Sequence, residues 1–143
     1  MRLRQCITAA ILGAVLLGLC GCGALGTPLQ PPNPPAKQSM LISSQGLQEW
    51  RILFTPDLNF DVQYLGHPMF SDAVLTLFTR PPHGDHWHRF YTTGKGLVEY
   101  RKWGSTFVHG ENFVGQAKLV VTWMAGKKSH EGYAVYRIRD IKQ

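Results

Sequence analysis

From Trp50 to Ile141 apolar residues return at nearly every second position, and that period decides what the chain can fold into. A strand sends alternate side chains to opposite faces, so a period of two buries one face and leaves the other wet. In "EWRILFTP" Trp50, Ile52 and Phe54 share a face, and Pro56 ends the run. In "FDVQYLG" Phe60, Val62 and Tyr64 alternate with Asp61 and Gln63. "AVLTLFTRPP" sets Leu75 and Leu77 against Val74, Thr76 and Phe78 before a double proline. "HWHRFYTTGKGLVEYRKW" reads as two strands hairpinned around Thr93-Gly-Lys-Gly96, and "STFVHGENF" as a shorter run broken by Gly110. "AKLVVTWMAGKKSHEGYAVYRIRDI" is the clearest hairpin, with Ala117, Leu119, Val121 and Trp123 on one face and Tyr136 and Ile138 on the return. No helical period exceeds about two turns, although "SSQGLQEW" has room for one turn. The pattern predicts an all-β fold, a small antiparallel β-sandwich or barrel of about seven strands.

The amino-terminal region is of another kind. All three cysteines, Cys6, Cys20 and Cys22, lie within the first 22 residues. Arg2 and Arg4 precede an uncharged stretch from Ile7 to Leu19. As a helix that stretch spans roughly 20 Å, against about 30 Å of bilayer hydrocarbon. It is too short to span a membrane and has the length of a secretory h-region. Leu19, Cys20 and Gly21 stand ahead of Cys22, and residues 1–22 resemble a bacterial lipoprotein precursor, whose lipobox reads aliphatic, small, small, Cys. The resemblance implies a signal peptide over residues 1–21, diacylglycerol on the Cys22 thiol and a palmitate-type acyl group on the new amine. It also implies a cell-envelope location with the membrane as a partner through the lipid anchor. By the same resemblance, Gly23 beside the anchor, where inner-membrane lipoproteins often carry Asp, implies the outer membrane, facing the periplasm, if the cell is Gram-negative. Two or three acyl chains anchor firmly where one binds marginally.

On that reading Cys6 and Cys20 leave with the signal and Cys22 becomes a thioether. The mature chain then has no thiol for a disulfide, for thiolate catalysis or for zinc. An oxidising compartment would permit disulfides, so the domain must be held by core packing alone. Sixteen aromatic residues, all beyond residue 49, supply the bulk for that core. Trp50, Phe54, Phe60, Phe78 and Trp123 are expected to be structural. Between anchor and domain, "GALGTPLQPPNPPAKQS" holds five prolines from Pro28 to Pro35 and reads as a polyproline-II tether. The expected organisation is a lipidated terminus and proline-rich linker over residues 22–44, then one β domain over residues 45–143.

Losing Arg2 and Arg4 lowers the formal net charge from +6 to +4. An exported, mildly basic domain is not expected to bind nucleic acid and suits an anionic surface such as lipid headgroups. "RPPHGDHWHRF" gathers His83, Asp85, His86 and His88. If residues 86–92 form a strand, His86 and His88 share a face about 7 Å apart, a spacing from which two imidazoles can reach one Zn or Cu ion. His109 would join them only if its strand pairs nearby. The ordinary alternative is a pair of surface histidines beside a turn, and the expectation is of no cofactor. Nucleophilic catalysis lacks a Gly-x-Ser-x-Gly pattern, and no glycine-rich loop opens a helix. Asp57 with Asp61, or Glu99 with Glu111, read as surface acids rather than as a catalytic pair.

Trp87, Arg89, Tyr91, Tyr100, Arg101 and Trp103 mix Trp, Tyr and Arg, the residues that dominate interface hot spots. They are the candidate partner-binding surface. The favoured expectation is a non-enzymatic accessory lipoprotein whose β domain binds a protein partner in an envelope or secretion-type assembly. The alternatives are an extracytoplasmic metal-binding domain using the histidine cluster, and an inhibitor or binder of an envelope enzyme or cell-wall ligand.

Overall fold

The computed structural model describes residues 36–141. The signal-peptide reading, Cys22 and the proline-rich stretch through Pro35 lie outside the described residues. Eight strands follow in order: β1 (Lys37–Gln45), β2 (Trp50–Phe54), β3 (Phe60–Tyr64), β4 (Phe70–Arg80), β5 (His88–Thr92), β6 (Trp103–Thr106), β7 (Gly115–Ala125) and β8 (Lys128–Asp140). They form a five-stranded sheet in the order β1-β8-β7-β4-β5 and a three-stranded sheet in the order β2-β3-β6. Every pairing is antiparallel. The sheets face one another as a sandwich and neither closes into a barrel. No helix occurs among the described residues.

The alternation read from the sequence is the alternation of burial. Phe60, Val62 and Tyr64 of β3 are buried against Leu75 and Leu77 of β4 and Ala117, Leu119, Val121 and Trp123 of β7. At one end Trp50 lies 5.4 Å from Trp123 and 5.1 Å from Tyr64, centroid to centroid, and Tyr64 stacks on Phe70 at 4.3 Å. Phe54 stacks on Tyr136 at 4.2 Å and closes the sandwich between β2 and β8. Tilted and edge-on rings of this kind add to the area they bury, and no disulfide bridges the described residues, which contain no cysteine. The Tyr64 hydroxyl stays satisfied by donating to the Glu49 carboxylate at 2.9 Å and accepting the His67 amide at 2.9 Å. Burial raises its pKa, the His67 amide lowers it, and Glu49 adds to the rise. Burial alone pushes the Tyr136 phenol up to about 12.

The width of the two sheets is unequal, and this decides what is exposed. Inward-facing residues of β4, β7 and β8 are buried, whereas Leu41 and Ser44 of β1 and His88 and Tyr91 of β5 stay exposed although they pair with inward-facing neighbours. The three-stranded sheet covers the centre of the larger one and leaves β5 overhanging, whereas β1 still meets it where the Ser39 hydroxyl donates to the Phe54 carbonyl at 3.1 Å.

Three expectations need correction. The linker ends earlier than residue 44: Lys37–Gln45 is β1, paired along β8 from Lys37↔Asp140 to Gln45↔Tyr133. "KQSMLISSQ" carries no aromatic residue and a mostly exposed pattern, so only pairing with β8 makes it a strand. The turn of helix allowed in "SSQGLQEW" is instead a tight turn, closed by the Trp50 amide on the Leu47 carbonyl at 3.0 Å. The hairpin expected around Thr93–Gly96 does not form. β5 belongs to the larger sheet and β6 to the smaller, and residues 93–102 cross between them.

Candidate functional site

Pro81 and Pro82 end β4, and the Gly84 amide donates to the Pro81 carbonyl at 3.0 Å to turn the chain back. The returning strand begins at His88, so His86 sits in the bend and does not share a strand face with it. His83, Asp85, His86 and His88 are all exposed. His109 follows β6, which pairs with β3 rather than with β5, so the condition for its joining them is not met. Among the described residues no group of three or more His, Cys, Asp or Glu side chains is placed to hold a metal ion. The metal expectation therefore finds no assembled ligand set, because a bend separates histidines that a continuous strand would have aligned.

Trp87, in the middle of this cluster, is half-buried and carries the Arg80 guanidinium 4.7 Å from its ring centroid. Such a cation–π contact fixes both groups at the sheet end. β5 then runs along β4 with a bulge: Tyr91 pairs with Leu77 and Arg89 with Phe78, leaving Phe90 as the extra residue. A bulge re-aims side chains and increases local twist. All five residues of β5 are exposed, and no strand pairs with its far side among the described residues.

The crossing segment is sealed at its start. The Thr93 amide donates to the Leu75 carbonyl at 2.9 Å, and its buried hydroxyl accepts the Leu75 amide at 3.0 Å. Val98 is buried and Leu97 packs against the core, so the segment dives into the gap between sheets instead of pairing with β5. Its far end is tied to β3. The Arg101 amide donates to the Tyr64 carbonyl at 3.0 Å, and Gln63 Nε2 donates to the Arg101 carbonyl at 2.9 Å. Arg101 has φ +61, an uncommon conformation for a non-glycine residue, held by these two bonds. Its guanidinium lies 5.2 Å from the Tyr100 ring, and Tyr100 meets Tyr64 edge-on at 6.3 Å.

The six candidate partner-binding residues therefore fall into two groups rather than one face. Trp87, Arg89 and Tyr91 belong to the β5 edge. Tyr100, Arg101 and Trp103 belong to the end of the crossing and to β6. Arg89 pairs with Phe78 on the outer face of the larger sheet, while Trp103 pairs with Gln63 on the outer face of the smaller one. The structure adds two exposed aromatics that strand periodicity left unremarked. Phe90 is 45% exposed and Phe107 73%, beside Tyr91 at 37% and Trp103 at 47%. The adjacent pair Phe90-Tyr91 was a visible signal, since a strand apolar on both faces with only one face covered must expose the other.

The chain matches no protein-family model, and neither a curated protein nor a solved structure is significantly similar to it.

Proposed function

We propose that this chain is a lipid-anchored accessory protein of the cell envelope whose β domain docks a protein partner along the β5 edge. The observation that supports the docking surface is β5 itself: an edge strand with every side chain exposed, one row of backbone groups that no strand pairs among the described residues, and Phe90 and Tyr91 outside the core. Folded proteins usually blunt such edges with short strands, charges or a covering loop, because a bare edge templates pairing. β5 is short and carries Arg89, but its aromatic pair offers anchors of the type that dominate interface energetics. A partner segment adding as a further strand would satisfy the open backbone groups and cover both rings. The lipobox resemblance at Leu19–Cys22 supports the anchor, and the five prolines from Pro28 to Pro35 support a spacer between anchor and domain.

Two measurements test the two halves of this reading. Metabolic labelling with a clickable fatty acid should mark the full-length protein and fail to mark Cys22→Ser; labelling that survives the substitution removes the anchor. A photocrosslinking residue replacing Phe90 in the full-length chain should give a discrete protein adduct in the membrane fraction. The same residue at exposed Lys127, beyond the β7 end, serves as control. An identical adduct pattern from both positions overturns the β5 assignment.

A further inference from the structure

The outer face of the five-stranded sheet concentrates arginine at one end. Register sets Arg80 of β4, Gln116 of β7 and Arg137 of β8 side by side. Neighbouring strands lie about 4.8 Å apart, so the Arg80 and Arg137 backbones stand roughly 10 Å apart with Gln116 between them. Arg139 follows on the same face, beside Gln38 of β1. A row further along are Arg89 of β5 and Lys118 of β7, both flanking Phe78.

Arg80, Gln116, Arg137 and Arg139 line a groove of about 500 Å³, walled by the Pro81–Gly84 turn. No carboxylate lines it. Among the described residues the one ion pair is Lys102 with Glu99, and no described carboxylate pairs with Arg80, Arg137 or Arg139. Glu131, on the same outer face, is six residues back along β8 from Arg137, roughly 20 Å away. Asp140 adjoins Arg139 but pairs with Lys37 on the other face, and Asp85 lies on the exposed bend before β5. Residues 1–35 contain no Asp or Glu at all.

Two of the guanidiniums are held by neutral groups instead. Arg80 donates to Gln116 Oε1 and lies over the Trp87 ring, while Arg139 donates to Gln38 Oε1 at 3.2 Å. They are oriented without being neutralised. Three such cations around one groove repel one another, and a negative ligand would relieve that repulsion. The groove is larger than one free phosphate needs and falls within the range of small-molecule sites. The planar guanidinium fork suits bidentate contact with phosphate oxygens.

We infer that this groove binds a phosphorylated ligand carrying at least two phosphate groups or one phosphate within a larger anionic headgroup. Arg80 and Arg137 grip it from opposite sides, and Arg139 extends the site toward β1. The same chemistry is offered by a membrane phospholipid headgroup and by a soluble phosphorylated compound. The inference stands independently of the β5 docking surface.

The test uses the full-length protein reconstituted in phosphatidylcholine vesicles, with tryptophan fluorescence as readout because Trp87 lies on Arg80. In one arm inorganic pyrophosphate is added at constant ionic strength; in the other, phosphatidic acid is mixed into the bilayer. A saturable response in the first arm identifies a soluble ligand, and in the second a lipid headgroup; either supports the site. Arg80→Gln and Arg137→Gln, each checked for unchanged thermal unfolding, should raise half-saturation roughly tenfold. Arg139→Gln provides an independent third variant, and Lys95→Gln, outside the groove, should leave binding unchanged. Absence of saturation in both arms overturns the inference, as does a response that none of the three arginine substitutions weakens.

Discussion

The β7–β8 hairpin and the β5–β6 segment look alike as sequence and fold in opposite ways. Both are runs of aromatic and aliphatic residues around a turn that contains glycine. β7 and β8 pair without interruption from Gly115↔Ile138 to Ala125↔Lys128, joined by Gly126-Lys127. Gly126 takes φ +64, the positive value that tight hairpin turns require. β5 and β6 are short and end in different sheets, with residues 93–102 carrying no strand. After "TTGKG" the chain continues with Leu97 and Val98, and the core takes both. Turn chemistry sets the path where the residues beyond it can alternate inward and outward. It yields where burial of the next apolar pair lies across the gap.

The contrast makes the β7 side the stabilising half and the β5 edge a surface that stability can spare. The largest expected difference is between Leu119→Ala and Phe90→Ala. Leu119 is fully buried on the central strand, and its truncation should cost about 3 kcal/mol by urea unfolding. Phe90→Ala should stay within about 0.5 kcal/mol. Equal losses would break the comparison.

Next comes a pair of glycines. Gly115 opens β7 at φ +139, and a Cβ there would run into the Arg80 carbonyl oxygen. Gly115→Ala should therefore lose about 2 kcal/mol, since neither backbone can yield cheaply. Gly94, in the crossing segment, has nothing within 4 Å of the same position, and Gly94→Ala should be neutral or slightly stabilising. A destabilised Gly94→Ala would mean the crossing is more tightly packed than its exposure implies.

A smaller effect separates the halves by pH. The Tyr136 phenol is raised to about 12 in the folded protein, so the unfolded chain ionises first. Its stabilisation is complete below about pH 10 and is lost as pH rises from there toward 12. Tyr64 shifts in the same direction. Tyr136→Phe should leave a shallower alkaline decline than the wild type in unfolding followed at stepped pH. The smallest expected effect is at Lys102, whose ion pair with Glu99 is exposed on both sides. Lys102→Ala should change stability by less than about 0.5 kcal/mol at any salt concentration.

Legibility in the sequence followed the same division. Trp50, Ile52 and Phe54, then Phe60, Val62 and Tyr64, declared their strands because one face of each is buried and the period survives intact. β1 gave no such sign: of its inward positions Leu41 and Ser44 stay exposed, and Ser39 meets the smaller sheet with a hydroxyl that donates to the Phe54 carbonyl, so little selects for apolar alternation there. The candidate binding residues were legible as residue types, and their separation into two groups was not. Arg89 and Trp103 part company because the crossing segment changes sheets, a decision made by Val98 rather than by either of them. Arg137 and Arg139 stood visibly at alternate positions of one strand, but Arg80 joins them only through the register of β4 on β7.

What the amino-acid order determined by itself was local: strand identity, which face of each strand is apolar, the Gly126 turn, and the unlike character of residues 1–35. The tertiary structure alone decided which strands became edges, which bend parted His86 from His88, and which three arginines share a groove. The physical reason is range. Alternation and turn geometry act between neighbours, whereas sheet order and overhang depend on burying one strand's apolar face against residues far away along the chain.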